Sequence, residues 1–324
     1  MSKEKVTVHP RVSFGLEAHR ADRKALALRE QANIACRHLS QKVAFGLLWL
    51  TGLVAVAVLV LVVAYVVLQG WKVVRVDFPD FLLTPPRGGL SAEGGISTTI
   101  VTTFYLVLLT IGIATPLGVG AAVYLVEYAG EMRGRSGLIS RLVGVVRFGV
   151  ELLAGVPSII FGLFGYALFV SAMHLGFSLL SAALAGACLV LPVIIRASEE
   201  ALCAVPRCYR EGSLALGTTQ WQTVWKVVLP AALPGIITGI VLSVGRVVSE
   251  TAVFYVTLGG SHHLPTSLFS GGRTMALHLY YLAMDTRAFD KAMGTGAVLV
   301  VTIVLINLAI NSVSRRLTAG LKGG

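Results

Sequence analysis

The chain has 324 residues, of which 55% are hydrophobic and only 13% are charged. Soluble domains usually carry about 25% charged residues, and a bilayer-crossing helix needs roughly 20 apolar residues, which several runs here approach. The formal net charge of +11 is concentrated in the N-terminal tail and in alternate loops, a pattern typical of membrane proteins rather than of nucleic-acid binding. The sequence therefore predicts an all-α membrane protein that contacts membrane lipid and no nucleic acid.

The N-terminal residues 1–44 form a polar, basic segment that precedes the first apolar run. This segment is too long for the charged region of a cleaved signal peptide, so we expect the first span to remain in the mature protein. We predict a cytoplasmic tail that is solvated or touches lipid headgroups, and a regulatory or partner-binding segment is the alternative. The first transmembrane helix is predicted at 45–70, with Trp71 as an anchor at the membrane interface.

Five further apolar runs are predicted to cross the membrane within a core transmembrane domain at 95–315. They lie at about 96–126, 148–171, 178–196, 228–256 and 292–313. The segment 115–118 contains Pro116 and interrupts the second span, where we expect a kink or a break because proline removes a helical hydrogen bond. Gly235 and Gly239 form a G-x-x-x-G pattern that favours close packing of helices within the chain.

The loops between these runs predict the orientation in the membrane. The tail, the loops at 127–147 and 196–226 and the C-terminus are basic, whereas the 69–95 loop balances basic with acidic residues. All basic segments fall on one side if six helices cross the membrane and both termini are cytoplasmic.

The loop at 199–230, before the fifth span, carries the most informative pattern. Gly217 is predicted to separate two helices, with Thr218 or Thr219 capping the second one. Helical spacing predicts that four apolar residues share one face, namely Trp221, Val224, Trp225 and Val228. An amphipathic helix pair of this kind suits docking into a groove of another protein.

This loop resembles the coupling-loop motif of ATP-binding-cassette (ABC) importer permeases. The motif is Glu, five residues, Gly, nine residues, an aliphatic residue, any residue, and Leu-Pro. The matching residues here are Glu211, Gly217, Val227, Leu229 and Pro230. Gly212 and Ser213 stand where the family favours two alanines, and Val227 stands where isoleucine is usual. The resemblance implies that the loop docks a nucleotide-binding subunit and couples ATP hydrolysis to gating.

Other functional motifs are missing from the sequence. No Gly-Lys pair occurs, so the chain lacks a P-loop, and the ATPase is expected to be a separate polypeptide. Neither His-Glu-x-x-His nor Gly-x-Ser-x-Gly is present, which argues against an intramembrane enzyme with catalytic residues. The four cysteines form no C-x-x-C pair, so we expect neither a metal site nor a cofactor.

Charged residues in or near the predicted spans are candidates for a substrate pathway. Arg196 ends the fourth span, and Arg246 and Glu250 lie four residues apart in the fifth, where they can pair. Arg147 and Glu151 repeat this spacing at the start of the third span. A charge inside the bilayer costs about 2.5–3.5 kcal/mol on insertion scales, which favours a functional role. A guanidinium forks onto two oxygens and suits an oxyanion, whereas structural ion pairs and snorkelling side chains are the alternatives.

Two segments resemble signatures of the A-type permeases of phosphate importers (PstA). Residues 153–168 resemble the third-span signature of that family. Residues 246–252 resemble its Arg-x-x-Gly-Glu-Thr-Ala-Pro signature, with Ser249 in place of glycine and Val253 in place of proline. The resemblance covers about residues 95–315 and implies a type I importer permease fold in a bacterial inner membrane.

The same resemblance implies a substrate and partners. Arginines matching Arg196 and Arg246 are implicated in phosphate passage in that family, and Glu250 follows from its place in the signature. The implied partners are two copies of an ATP-binding subunit, a second homologous permease and an extracytoplasmic phosphate-binding protein. The alternatives are a permease for molybdate, sulfate or a phosphonate, and an ion-coupled secondary transporter. Secondary transporters often contain inverted repeats, and none is visible in this sequence.

Overall fold

The computed structural model describes residues 10–87, 93–129 and 137–322, which are mainly helical. The chain divides into two compact units, Met1–Ala64 and Tyr65–Gly324. Helix α1 (Pro10–Val76) supplies the described part of the first unit and begins the second, with no break between the predicted tail and the predicted first span. The boundary between a tail and a core domain remains a prediction.

The second unit contains eleven more helices and one small sheet among the described residues. The helices are α2 (Asp80–Leu83), α3 (Ser97–Val123), α4 (Gly137–Ala154), α5 (Ser158–Gly165), α6 (Leu179–Ala204), α7 (Arg207–Ala215), α8 (Gln220–Thr223), α9 (Leu229–Ser249), α10 (Ala252–Thr257), α11 (Met275–Met284) and α12 (Phe289–Lys322). Strands β1 (Pro86–Arg87) and β2 (Glu93–Gly94) pair antiparallel. Wider π-helical turns occupy Tyr124–Tyr128, Tyr166–Ala172 and Val224–Val228.

Five helical segments in the described residues are long and apolar enough to cross a membrane. They are Gln41–Val76, Ser97–Tyr128, Leu179–Ala204, Gln220–Ser249 and Phe289–Ser312. A bent pair, Val143–Ala154 and Ser158–Ala172, provides a sixth if it counts as one span. The prediction of an all-α protein with six transmembrane helices is thus confirmed, and the side of the membrane that the termini face remains a prediction.

The predicted third span is broken rather than continuous. Its two halves, α4 and α5, are bent by 107° at a short interruption. Pro157 lies at this interruption with extended backbone angles, φ −56° and ψ 138°. Proline has no N–H to donate and disfavours the helical conformation of the residue before it, so the helix ends at this point. The span predicted at 148–171 therefore consists of two helices joined at a sharp bend.

Pro116, in contrast, does not break the second span. Helix α3 contains Pro116 and continues to Val123. A Cβ atom at Gly118 would come within 2.7 Å of the Ile194 side chain, so α3 and α6 lie in close contact just beyond the proline. Packing against neighbouring helices makes proline tolerable in membrane helices, and no break forms there.

The boundaries of the fourth and fifth spans also differ from prediction. Helix α6 continues to Ala204, eight residues beyond the predicted end at 196. The fifth span begins at Gln220 and ends at Ser249, and a separate helix α10 follows. Pro230 does not start this span, because α8 and the π-turn at Val224–Val228 precede it without a break.

Helix α6 lies at the centre of the second unit. Its fully buried residues Leu189, Val190 and Ile194 belong to a core cluster that includes Val247 and Phe254. Small residues bring α9 against α6, since Gly235 faces Ala201 and Gly239 faces Ala197. A Cβ atom at Gly235 would lie 2.6 Å from the Cβ of Ala201, which confirms that this G-x-x-x-G packs within the chain.

Candidate coupling loop and charged pathway

The coupling loop, residues 199–230, folds as the predicted helix–turn–helix. Helix α7 ends at Ala215, and Gly217 adopts a positive φ of 83° that other residues rarely reach. Thr219 then caps α8 in a capping box, because its hydroxyl accepts from the Gln222 N–H and the Gln222 side chain accepts from the Thr219 N–H. The predicted turn at Gly217 and cap at Thr219 are both confirmed.

A cluster of three hydroxyl groups holds this turn closed. The Ser213 and Thr218 hydroxyls lie 2.8 Å apart, and each lies 3.0 Å from the Thr223 hydroxyl. Thr218 also donates to the Ser213 carbonyl at 2.8 Å. The cluster therefore joins the end of α7 to α8 across Gly217, and Ser213, one of the departures from the family motif, is a member of it.

The predicted single apolar face of the loop divides into two faces. Val224 and Val228 are buried against Ala122 and Leu202, whereas Trp221 and Trp225 are exposed and their rings lie 5.3 Å apart. Residues 224–228 form a π-turn, whose wider spacing departs from the 3.6-residue period on which the prediction depended. The valines thus join the core, and the tryptophans are left on the surface.

The five motif residues lie along this loop in different surroundings. Glu211 is exposed on α7, and Gly217 is exposed in the turn. Val227, Leu229 and Pro230 are half-buried where the π-turn passes into α9. Val227 and Pro230 line a groove of about 640 Å³ together with small residues of α6 and α9. The structure therefore presents the first two residues at the surface and uses the last three to join the loop to a span.

A charged pair that sequence reasoning missed anchors the loop to the second span. Arg210 contacts Glu127 through a fork, with its Nε 3.1 Å from both carboxylate oxygens and its Nη2 2.7 Å from Oε1. This hydrogen bonding raises the pKa of Arg210, which therefore remains charged. The two residues are 83 positions apart, so no local spacing in the sequence indicates that they pair.

The charges of the third and fourth spans pair between helices. Arg196 Nη2 lies 2.8 Å from Glu151 Oε1, and Arg147 Nε lies 3.3 Å from Glu199 Oε1. Arg147 also donates to the Leu125 carbonyl at 3.2 Å. Arg147 and Glu151 have the spacing of a helical pair, but α4 packs beside α6 and each of them contacts a partner on the other helix.

The predicted pair of Arg246 with Glu250 does not form. Helix α9 ends at Ser249, and Glu250 has an extended backbone, φ −75° and ψ 130°, so helical spacing no longer applies. Its Oε1 instead accepts from the Ala252 N–H at 3.0 Å and from the Val253 N–H at 3.3 Å, which caps α10. Val253 supplies the second N–H at the position where the family has proline, which has none to donate.

Arg246 is half-buried in α9, and in the described part of the chain it makes no hydrogen bond or ion pair. Arg196 lies at a different level from it. Because Ala197 packs against Gly239, Arg196 is level with the middle of α9. Arg246 lies seven residues further along, or about 10 Å at the 1.5 Å rise per residue of an α-helix. The structure thus spaces the two predicted arginines along the helix axes and does not gather them at one point.

Three features together define a membrane transport component. They are the apolar spans around α6, a surface helix–turn–helix before the penultimate long span, and arginines within spans. Residues 114–323 match the model of the family described as binding-protein-dependent transport system inner membrane component. The chain belongs to this family. It is accordingly a multi-pass inner-membrane protein of a transport system and not an enzyme.

Comparisons with individual proteins agree with this assignment. The chain is 32% identical over 289 residues to the probable ABC transporter permease YqgI of Bacillus subtilis (strain 168), covering 84% of this chain and 94% of that protein. It is 36% identical over 279 residues to the phosphate transport system permease PstA 1 of Mycobacterium tuberculosis (strain CDC 1551 / Oshkosh), covering 84% and 88%.

Solved structures share the fold. A chain of the MetNI methionine ABC transporter in an inward-facing conformation superposes with a TM-score of 0.53 and 24% identity, covering 69% of this chain and 94% of that one. A chain of a bacterial alginate ABC transporter superposes with a TM-score of 0.53 and 17% identity, covering 68% and 78%. The predicted ABC type I importer permease fold is confirmed.

Proposed function

We propose that this chain is the permease subunit of an ATP-driven phosphate importer. The observation that carries the proposal is Arg246, a half-buried cation within a span that no described side chain neutralises. Burying an unpaired charge is costly, so a mobile anion is the partner that best explains it. The likeness to phosphate transport permeases such as PstA 1 supports phosphate as that anion.

The coupling loop supports an ATP-binding subunit as a partner. Leu216 is 85% exposed at the turn, and Leu214 and the two tryptophans are exposed beside it. Exposed apolar side chains on one segment mark a surface that another protein covers. We infer that each of two homologous permeases docks one copy of the ATP-binding subunit through this loop, and that an extracytoplasmic binding protein delivers phosphate.

The charges suggest how an anion passes along the chain. Arg246 attracts the anion first, and Arg196 lies about 10 Å further toward the coupling loop by helical rise. Arg196 is held by Glu151, and their side chains are 48% and 52% exposed. A water-exposed ion pair contributes only about 0–1 kcal/mol, and we infer that the substrate pathway exposes this pair to water. An arriving oxyanion can therefore replace the carboxylate at Arg196 and is not trapped there.

Uptake of radiolabelled anions into proteoliposomes tests the proposal. The purified complex with its binding protein and internal ATP should accumulate phosphate, and molybdate and sulfate should neither be taken up nor compete. Robust molybdate or sulfate uptake without phosphate uptake would assign the chain to a different oxyanion and overturn the choice of substrate.

A further inference from the structure

Arg210 joins three structural elements through one side chain. It lies on α7 of the coupling loop, and its fork holds Glu127 in the π-turn that ends the second span. Its remaining N–H groups donate to the carbonyls of Leu202 and Val205, each at 2.8 Å, where α6 ends. All of these contacts are charge-assisted, and the planar guanidinium fixes their directions.

Glu127 is held from the loop a second time. The Gln220 side-chain amide, at the start of α8, donates to the Glu127 backbone carbonyl at 2.9 Å. The Arg210 and Glu127 side chains are only 20% and 8% exposed, so this pair is more shielded from water than the pair of Arg196 with Glu151. Both helices of the coupling loop are thus tied to the same residue of the second span.

The pair is mostly shielded from water, and the groove that it lines also includes the exposed Glu211 and Leu214. Glu211, the next residue, is exposed, as are Leu214 and Leu216 on the same side of the turn. The loop therefore combines exposed side chains, which are free to meet a partner, with a shielded pair that attaches it to the ends of the second and fourth spans.

We propose that Arg210 and Glu127 are positioning residues that transmit movement of the docked coupling loop to the second and fourth spans. The inference rests on the proposed function, because it assumes that an ATP-binding subunit moves this loop. The pair does not create the docking surface. It makes that surface and the ends of α3 and α6 move together, since a forked, shielded contact resists sliding and rotation.

The decisive measurement is the number of ATP molecules hydrolysed per phosphate transported by the reconstituted complex. In Arg210→Gln and Glu127→Gln, the ATP-binding subunit should still co-purify and hydrolyse ATP. The ratio of hydrolysis to uptake should rise about 10-fold, within the range typical of coupling between sites. Arg207→Gln is the matched control, because Arg207 is exposed on the same helix, and its ratio should equal that of the wild type.

Two further variants separate coupling from folding. The double variant Arg210→Gln with Glu127→Gln leaves no unpaired charge, so it should accumulate normally and still show the raised ratio. Arg210→Lys keeps the charge but loses the fork, and its ratio should be intermediate.

A wild-type ratio of hydrolysis to uptake in the double variant would overturn the inference. Loss of the ATP-binding subunit from the double variant would also overturn it, because that result would place the pair in the docking surface. If the wild-type complex showed no ATP-driven phosphate uptake, the proposed function itself would fail. That outcome is distinct from a variant with a normal ratio.

Discussion

At the scale of single residues, the end of a helix decides what a charged side chain contacts. Arg246 and Glu250 have the spacing of a helical ion pair, but α9 stops at Ser249 and Glu250 turns to cap α10. Arg246 is left without a described counter-charge. Because α9 ends one residue before Glu250, the ion pair does not form and Arg246 remains available to a passing anion.

Removing the Arg246 charge should nearly abolish transport and leave the complex assembled. In Arg246→Gln, the anion loses charge-assisted hydrogen bonds worth about 1.5–3 kcal/mol, so phosphate uptake should fall roughly 10- to 100-fold. Uptake and co-purification of the ATP-binding subunit are measured on the same preparation. Loss of assembly would indicate a structural role, and unchanged uptake would remove Arg246 from the pathway.

Neutralising Glu151 should strengthen phosphate binding at Arg196. The exposed pair is worth up to about 1 kcal/mol, so Glu151→Gln should lower the phosphate Kd of the purified complex by up to about fivefold. Equilibrium dialysis without the binding protein measures this change directly. Glu199→Gln is the control, because its partner is Arg147, and it should leave the Kd unchanged. Weaker binding in Glu151→Gln would show that Glu151 does not compete with the anion.

At the scale of elements, the coupling loop depends on one turn. Gly217 has a φ of 83°, and nothing lies within 4 Å of a Cβ atom added there, so its constraint is conformational and not steric. The hydroxyls of Ser213, Thr218 and Thr223 close the turn from inside. The angle between α7 and α8 therefore depends on this glycine and on three short polar side chains.

Gly217→Pro should prevent docking of the ATP-binding subunit, because proline cannot adopt a positive φ. Gly217→Ala should weaken docking less, since a left-handed residue with a Cβ costs about 1–2 kcal/mol. Co-purification of the ATP-binding subunit is the measurement. Gly212→Ala is the control, because Gly212 is helical, has open space around it and stands where the family favours alanine. Normal co-purification of Gly217→Pro would refute the assigned role of the turn.

Gly235 governs the contact between α9 and α6. Gly235→Leu would place a side chain where even a Cβ atom lies 2.6 Å from the Ala201 Cβ. Overpacking of this kind costs about 1–3 kcal/mol, so the Tm in detergent and the yield should both fall. Gly245→Ala on the same helix has nothing within 4 Å of the added Cβ atom and should keep the wild-type Tm. Equal Tm values for the two variants would contradict the packing described here.

At the scale of the whole molecule, the chain has the features of one part of a larger transport complex. Its loop exposes apolar side chains, and it contains no Gly-Lys pair and so no P-loop. Under the proposed function, energy for transport reaches the spans from a separate subunit through the coupling loop. The source of energy is what distinguishes an ABC permease from the alternative of an ion-coupled secondary transporter.

Phosphate uptake should stop when the ATP-binding subunit is replaced by a hydrolysis-deficient variant, because the loop then has no source of movement. Collapse of the proton gradient with an ionophore should leave the initial rate unchanged. The two measurements use the same proteoliposomes with ATP inside. Uptake that persists without hydrolysis and disappears with the ionophore would favour a secondary transporter.

The sequence by itself determined the features that depend on local composition and spacing. Long apolar runs predicted the spans, since a bilayer demands a minimum helix length. The left-handed turn at Gly217 and the cap at Thr219 follow from residues adjacent in the chain, as does the coupling motif from Glu211 to Pro230. These features need no distant partner, so the sequence was sufficient to locate them.

Only the tertiary structure decided which charges meet. Arg210 and Glu127 are 83 residues apart, and they pair because α7 packs beneath the end of the second span. Arg196 finds Glu151 because α4 packs beside α6. An ion pair depends on distances of a few ångströms between helices, and helical spacing along the sequence carries no information about those distances.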